Sequence, residues 1–153
     1  MSTYRLSVDD NRVSSDMAWA AGFIDGEGCI TIARQRTKGS DKICHRLKFS
    51  IVQNNLEVLE QVRDILDESC FISKLPRTET MNRQAYQLVY DSTHALRAIG
   101  KVKPYLRKKH YEAKAAEKMW IEGQMGQRPG KKGWPDEVYE TREKWAQKLS
   151  RLK

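Results

Sequence analysis

The chain has 153 residues, a length that suits one domain of ordinary size, and it carries a net charge of +8. Hydrophobic residues make up 39% and charged residues 31% of the chain, so a modest core must support a highly charged surface. The excess of Lys and Arg predicts a polyanionic partner, while the short apolar runs argue against a membrane partner.

After a polar arm over residues 1–14, the first predicted element is a short helix from Ser15 to Asp25. Small residues recur on one side of it, which would let another backbone approach closely. Ser14 or Ser15 could cap its start. Gly26 and Gly28 are expected to end it, because glycine takes a positive φ without a steric penalty. Glu27 then lies where the chain leaves the helix.

Two strands with period-two alternation follow the helix. In the first, from Cys29, Ile30 and Ile32 point one way, and Arg34 and Arg36 continue that register outward. The return strand runs over residues 43–52 and is the clearest half-buried strand in the chain. Its exposed face carries Arg46 and Lys48, which suits contact with a nucleic-acid groove. The alternative explanation is protection of an edge strand by charge.

A second helix and a second hairpin repeat this order. Asn54 or Asn55 is expected to cap a helix over residues 56–68, which has a buried stripe of aliphatic residues. A strand near residues 71–75 and another near 86–90 come next, joined by a polar loop. The predicted groove contacts of this hairpin are Lys74, Arg77, Arg83 and Gln87.

The remaining chain is predicted to be mostly helical. A short helix over residues 93–100 precedes a long helix over residues 105–122, on which Leu106, Tyr111 and Met119 are expected to face inward. A basic, glycine-rich loop occupies residues 124–135. A terminal helix over residues 136–153 is expected to pack back on the core at residues 15–123.

The segment Ala20-Ala21-Gly22-Phe23-Ile24-Asp25-Gly26-Glu27-Gly28 resembles the signature of the LAGLIDADG homing endonucleases, with Ala20 for the first leucine and Glu27 for the second aspartate. The strand end at Gln53 and the segment from Val102 to Lys109 also resemble that family. The resemblance covers most of residues 15–123 in element order. Without it, the signature could be an ordinary amphipathic helix, Gln53 a strand cap and Lys109 a solvated lysine. Glu57 departs from algal members, which have an arginine there.

The resemblance implies an α+β fold in the order αββαββα, with a saddle-shaped antiparallel sheet and an extra C-terminal helix. It implies phosphodiester hydrolysis with Mg²⁺, a hard cation that takes oxygen ligands and keeps several waters. Glu27 and the Gly26 carbonyl would be the metal ligands. Lys109 would stabilise charge on the phosphate and Gln53 would orient water.

A single motif implies a homodimer in which the motif helices of two chains meet. The expected dimer-interface residues are Ala18, Ala21, Gly22 and Asp25. The two sheets would then cover a pseudo-palindromic double-stranded DNA site. The candidate DNA-binding residues are Arg34, Gln35, Arg36, Arg46, Lys48, Ser50, Lys74, Arg77, Arg83 and Gln87.

Three functions are compatible with these residues. They are a DNA endonuclease encoded in an intron or intein, an RNA maturase that helps its host intron to splice, and an inactive DNA-binding regulator. Retention of Glu27, Gln53 and Lys109 favours the endonuclease, since a maturase does not need them. Intron RNA is a further partner if the protein has both activities.

The cysteines and histidines give no metal centre, because they form no CxxC or Cys/His cluster. They are Cys29, Cys44, Cys70, His45, His94 and His110. Residues 1–13 lack a signal-peptide core, and Asp9 and Asp10 do not suit a transit peptide. The protein is therefore expected inside the cell, in the compartment that encodes it: an organelle such as a chloroplast or mitochondrion, or a prokaryotic cytoplasm.

Overall fold

Two β-hairpins, each preceded by a helix, form the first part of the molecule in a computed structural model that describes residues 8–36, 38–39, 41–80 and 82–153. The elements in chain order are α1 (Val8–Glu27), β1 (Gly28–Arg36), β2 (Ile43–Gln53), α2 (Leu56–Leu66), β3 (Phe71–Lys74), β4 (Tyr86–Asp91), α3 (Thr93–Val102), a 3₁₀ turn (Lys103–Tyr105), α4 (His110–Glu122) and α5 (Asp136–Arg151). The order αββαββα followed by further helices confirms the predicted α+β class.

The four strands form one antiparallel sheet in the order β1-β2-β4-β3. Strand β1 pairs with β2 from Gly28 opposite Ile51 to Arg36 opposite Ile43. Along β2, side chains alternate as the sequence predicts, with Leu47 and Phe49 buried and Arg46 exposed. The sheet therefore has one face against the helices and one open face.

The core lies between the sheet and the helices. Phe49 of β2 stacks on Tyr90 of β4 with ring centroids 5.5 Å apart, and both side chains are fully buried. Helix α2 contributes Leu59, Val62 and Leu66, which matches its predicted apolar stripe. The side chain of Asn55 caps this helix by accepting a hydrogen bond from the Val58 amide.

Helix α1 differs from its prediction at both ends. It begins at Val8, so Ser14 and Ser15 lie inside it, and it continues through Glu27. Neither Gly26 nor Gly28 has a positive φ, so the expected glycine stop is wrong. Position 28 requires a glycine for a steric reason, because a Cβ built there would lie 2.8 Å from the main-chain oxygen of Ile24. Helix and strand are thus joined with no loop between them.

Helix α4 begins at His110, whereas the sequence predicted a helix from Tyr105. Pro104 lies in a 3₁₀ turn that ends at Tyr105, and Leu106 is extended. The prediction that Tyr111 faces inward is wrong, because its side chain is 67% exposed. Residues 106–109 form a short non-helical segment that is held by contacts with α1, described below.

Helix α5 packs against α4 and against strands β1 and β2. Val138, Trp145 and Leu149 are its buried apolar residues. The buried guanidinium of Arg142 donates a 2.7 Å hydrogen bond from Nε to the main-chain oxygen of Gly123, at the end of α4. Within the described residues, no helix combines the length and the apolar character needed to cross a membrane.

Candidate active site and nucleic-acid interface

Three hydrogen bonds of Asp25 join the end of α1 to residues 106–109, the segment before α4. The carboxylate of Asp25 accepts from the main-chain amides of Arg107 at 2.8 Å and of Lys109 at 2.9 Å. In return, Nζ of Lys109 donates to the main-chain oxygen of Asp25 at 2.9 Å. This arrangement brings the ammonium of Lys109 to the end of the motif helix, two residues before Glu27.

The same contacts set the charge state of Asp25. Partial burial by itself would raise the pKa of its carboxyl, but the hydrogen bonds from the amides of Arg107, Lys109 and Lys108 outweigh burial and lower the pKa below its usual range. Asp25 is therefore an ionised structural residue. Lys109 has only 7% of its surface exposed, so its ammonium group is held in place and is not a solvated helix side chain.

Glu27 is the last residue of α1, and its side chain is exposed. No hydrogen bond or ion pair joins its carboxylate to another described residue. The main-chain oxygens in the last turn of a helix lack intrahelical partners and form the negative end of its dipole. The Glu27 carboxylate and the main-chain oxygens at the C-terminal end of α1 together favour binding of a cation.

Gln53 is the last residue of β2 and is half-buried. Because Gly28 pairs with Ile51, the end of β2 and the end of α1 lie at the same end of the sheet. The structure thus places Gln53 at the end of the sheet where Glu27 and Lys109 also lie.

The residues present fit a hard divalent cation in part. Among the described residues there is no group of three or more His, Cys, Asp or Glu side chains that could enclose a metal. Glu27 and a helix-end oxygen such as that of Gly26 are hard ligands of the kind that Mg²⁺ prefers. A complete shell would need further oxygens from outside this chain, which DNA phosphates and water can supply.

Five of the candidate DNA-binding residues share the open face of the sheet. Directly paired residues of an antiparallel sheet point to the same face. The pairs are Gln35 with Cys44, Arg46 with Ala33, Lys48 with Thr31, Ser50 with Cys29, and Gln87 with Val52. The structure therefore brings Gln35, Arg46, Lys48, Ser50 and Gln87 together on one surface.

Three other candidates lie in the register of the opposite face. Arg34 and Arg36 continue the register of Ile30 and Ile32 along β1, and Lys74 continues that of Ile72 along β3. Arg34 forms an ion pair with Glu143 of α5, with 2.8 Å between Nη2 and Oε1. The hydrogen bonds from Arg34 lower the pKa of Glu143 to about 2, against the opposing effect of burial.

The two remaining candidates lie in the exposed loop between β3 and β4. Arg77 donates a 3.2 Å hydrogen bond from Nη2 to the main-chain oxygen of Asn82. Arg83 is exposed in the same loop. This loop lies beyond the ends of β3 and β4, so neither arginine is a strand residue of the open face.

The sequence missed an acidic residue on the open face. Asp91 pairs with Lys48, and its Oδ2 lies 3.3 Å from Nη1 of Arg46. Its other carboxylate oxygen is buried and has no hydrogen-bond partner within the described part of the chain. The period-two alternation of β4 could have placed Asp91 on the open face, since Asp91 is four residues after Gln87 and so points to the same side of the strand.

The candidate dimer-interface residues divide into two groups. Ala18 and Gly22 are exposed on α1, and a Cβ built at Gly22 would meet no atom within 4 Å. Ala21 is completely buried in its own chain, so a second chain cannot reach it. Asp25 is half-buried and binds the segment before α4. The accessible face of α1 therefore includes Ala18 and Gly22 but not Ala21.

His45 is a buried residue that links β2 to α5. The ring is 4% exposed, and its Nε2 lies 2.7 Å from Oε2 of Glu143. Glu143 therefore links Arg34 of β1 and His45 of β2 to α5. No local sequence pattern indicated this link, because Glu143 is 98 residues from His45 in the chain.

Comparison with known proteins gives one family and several related structures. The model of the LAGLIDADG endonuclease family matches residues 20–119. None of the curated protein sequences matches the chain. The fold is similar to that of the homing endonuclease I-CvuI, solved with its DNA target in the presence of calcium. That similarity has a TM-score of 0.74 and 20% identity over 94% of this chain and 85% of that one.

Two further structures show the same fold. The archaeal intron-encoded homing endonuclease I-Vdi141I, solved with DNA, matches with a TM-score of 0.70 and 16% identity over 92% of this chain and 85% of that one. The meganuclease I-SmaMI, also bound to DNA, matches with a TM-score of 0.61 and 15% identity. That match covers 89% of this chain but 42% of the I-SmaMI chain.

Proposed function

Because the chain belongs to the LAGLIDADG endonuclease family, we propose that it is a homing endonuclease that makes a site-specific double-strand break in DNA. The break is made by hydrolysis of one phosphodiester in each strand, with a divalent metal ion, Mg²⁺ in the simplest case. The observation that carries this proposal is the junction at Asp25, which holds the Lys109 ammonium beside the helix end that carries Glu27.

Each residue of the site has a role that its position supports. A divalent metal bound at Glu27 would supply an activated water and stabilise the leaving oxygen. Lys109 is held by its own main chain and by Asp25, so it needs little reorganisation to stabilise negative charge on the phosphate. Gln53, at the end of β2, would orient the attacking water through its side-chain amide.

The active unit in this proposal is a homodimer. One chain provides one Glu27, whereas a double-strand break needs one site for each strand. A two-fold axis beside the exposed face of α1 would place two such glutamates close together. The match to less than half of the longer I-SmaMI chain supports a unit that recognises half a site. Gly22 is suited to close helix contact, because the space beside it is open.

The open face of the sheet would read the DNA sequence. Arg46 suits guanine, and Gln35 and Gln87 suit adenine, because their side chains can form paired hydrogen bonds with those bases in the major groove. Lys48 would contact the phosphate backbone, which positions the protein without reading sequence. Two such surfaces related by two-fold symmetry predict a long, pseudo-palindromic target. A homing endonuclease would itself be encoded in an intron or intein.

An RNA maturase or an inactive DNA-binding regulator of the same fold remains the alternative. A maturase would keep the fold. It would not need a Lys109 held by hydrogen bonds to Asp25, nor a Glu27 carboxylate that is available to a metal ion. Cleavage therefore separates these functions directly.

The test is incubation of the protein with a plasmid library and Mg²⁺, followed by sequencing of the cut ends. We expect a unique pseudo-palindromic site for the wild type. Glu27→Gln should abolish cutting of that site but retain affinity for it within a few-fold, measured by gel shift. Loss of DNA binding in Glu27→Gln would show that this acid is structural. Absence of cutting by the wild type, with tight binding of its intron RNA, would favour the maturase.

A further inference from the structure

A second cationic surface lies between α4 and α5, away from the open face of the sheet. Tyr111, Lys114 and Lys118 line it from α4, Trp145 and Lys148 line it from α5, and Leu152 lines it from the residue after α5. These six residues define the α4–α5 groove. On each helix they recur at spacings of three, four or seven residues, which places them on one side of that helix. The groove is therefore built from two facing stripes.

The groove combines positive charge with aromatic surface. None of the described ion pairs includes Lys114, Lys118 or Lys148. None of the described residues that line the groove is acidic. The ammonium of Lys148 lies 4.7 Å from the centroid of the Trp145 ring. The lysines are thus available to an anionic ligand.

Tyr111 is the least expected member of this surface. It is a large aromatic residue with 67% of its surface exposed, although it lies on a helix next to the core. The cleft beside it has a volume of about 210 Å³. An exposed ring beside unpaired lysines offers a stacking surface for a planar base.

We propose that the α4–α5 groove binds a single-stranded polynucleotide. Phosphates would contact Lys114, Lys118 and Lys148, and an unpaired base would stack on Tyr111. Cationic grooves with aromatic platforms are the usual means of binding single strands, because every base has a stacking face. A duplex keeps its base faces stacked on each other, so it cannot use Tyr111 in this way.

The groove adjoins the proposed cleavage site. Leu152 also lines a neighbouring cleft that contains Gly28, Lys108, Lys109 and Lys153, together with the buried acid Glu112. Three lysines and one buried acid therefore line the surface between the start of β1 and the groove, which leaves that surface cationic on balance. A polynucleotide bound in the groove could therefore extend past Leu152 towards Lys109. It would be either an unpaired DNA strand or an RNA.

The test measures single-strand binding while the sheet is occupied by duplex DNA. The probes are fluorescein-labelled oligouridine RNA and oligothymidine DNA, each of 15 nucleotides, followed by anisotropy. The full-length protein is first saturated with unlabelled linear plasmid, without divalent metal. We expect the wild-type protein to bind a probe under these conditions. A preference for RNA or for DNA would identify the source of the strand, and either preference supports the groove.

Two test variants, each with a matched control, locate the binding. Lys114→Ala with Lys118→Ala should weaken probe binding at least fivefold, whereas Lys131→Ala with Lys132→Ala removes the same charge from an exposed loop and should change it less than twofold. Tyr111→Ala should weaken it at least fivefold, and Tyr111→Phe, which keeps the ring, should restore it.

Two outcomes would overturn the proposal. One is full displacement of the probe by plasmid, which would mean that both ligands share the sheet. The other is a groove double variant that behaves like the loop control. Plasmid cleavage by the groove variants should match the wild type, so a failure of the endonuclease proposal can be separated from a failure of this one.

Discussion

The side-chain ammonium of Lys109 donates a 2.9 Å hydrogen bond to the main-chain oxygen of Asp25, 84 residues earlier in the chain. The Asp25 carboxylate in turn accepts a hydrogen bond from the main-chain amide of Lys109. The two residues thus hold each other at the junction of the motif helix and the segment before α4. The position of the proposed phosphate-binding lysine therefore depends on the carboxylate and the main-chain oxygen of Asp25.

We expect Asp25→Ala to lower the free energy of unfolding by about 2–4 kcal/mol, because it leaves two amides without their charged acceptor. Asp25→Asn keeps one acceptor oxygen and should cost about half as much. Urea denaturation of the two variants measures both values. Cleavage should also fall in Asp25→Asn at temperatures where that variant is fully folded, since one of the two amides loses its acceptor and Lys109 is held less firmly. Unchanged stability in Asp25→Ala would contradict this account.

Gly22→Leu should convert the protein to a monomer, because a branched side chain on the exposed face of α1 would hold two helices apart. Sedimentation velocity measures the change in mass. Gly100→Leu is the matched control, since Gly100 is also an exposed helical glycine with open space around it. That control should stay dimeric. A dimeric Gly22→Leu would place the subunit contact elsewhere.

Arg46→Ala should relax sequence preference by ~1–3 kcal/mol at one position of each half-site. Competition binding with targets changed at single positions measures this preference. Arg34→Ala is the control, because Arg34 has the same chemistry but lies in the register of the covered face and pairs with Glu143. If Arg34→Ala altered the preference and Arg46→Ala did not, the assignment of the two faces would be reversed.

The link between Glu143, Arg34 and His45 should respond to acid. The pKa of Glu143 is about 2 in the folded protein and 4.5 in an unperturbed chain. A lowered folded pKa means that the stabilisation is present above pH 4.5 and disappears as the pH falls towards 2. We therefore expect Glu143→Gln to destabilise the protein by ~1 kcal/mol at pH 7 and by much less near pH 2.5.

Denaturant titrations of wild type and Glu143→Gln across this range measure the difference. Glu140→Gln on the same helix is the control, since no described ion pair includes Glu140. A difference between wild type and Glu143→Gln that stays constant with pH would contradict the assignment.

The local pattern of the sequence predicted the strands and α2 well, because their burial follows their own periodicity. The alternation from Ile43 to Val52 and the Asn55 cap both needed only nearby residues. The family resemblance predicted the order of elements that surrounds them. These parts of the fold depend on short-range physical chemistry.

The errors fall where distant residues decide the structure. The stretch from Leu106 to Lys109 was predicted to be helical, but the Asp25 carboxylate binds the amides of Arg107 and Lys109. Ala21 was assigned to a subunit contact because it is small, whereas its own core buries it. Residue type alone could not separate the two sides of α1.

The contact between Arg46 and Asp91 has a consequence for redesign of the target preference. Asp91 already has one buried carboxylate oxygen with no hydrogen-bond partner among the residues that the structure describes, so a new side chain at position 46 that cannot donate would leave the second oxygen without its protein partner as well. Substitutions at the two positions should therefore show strong coupling, and libraries that vary both together will reach specificities that stepwise changes miss.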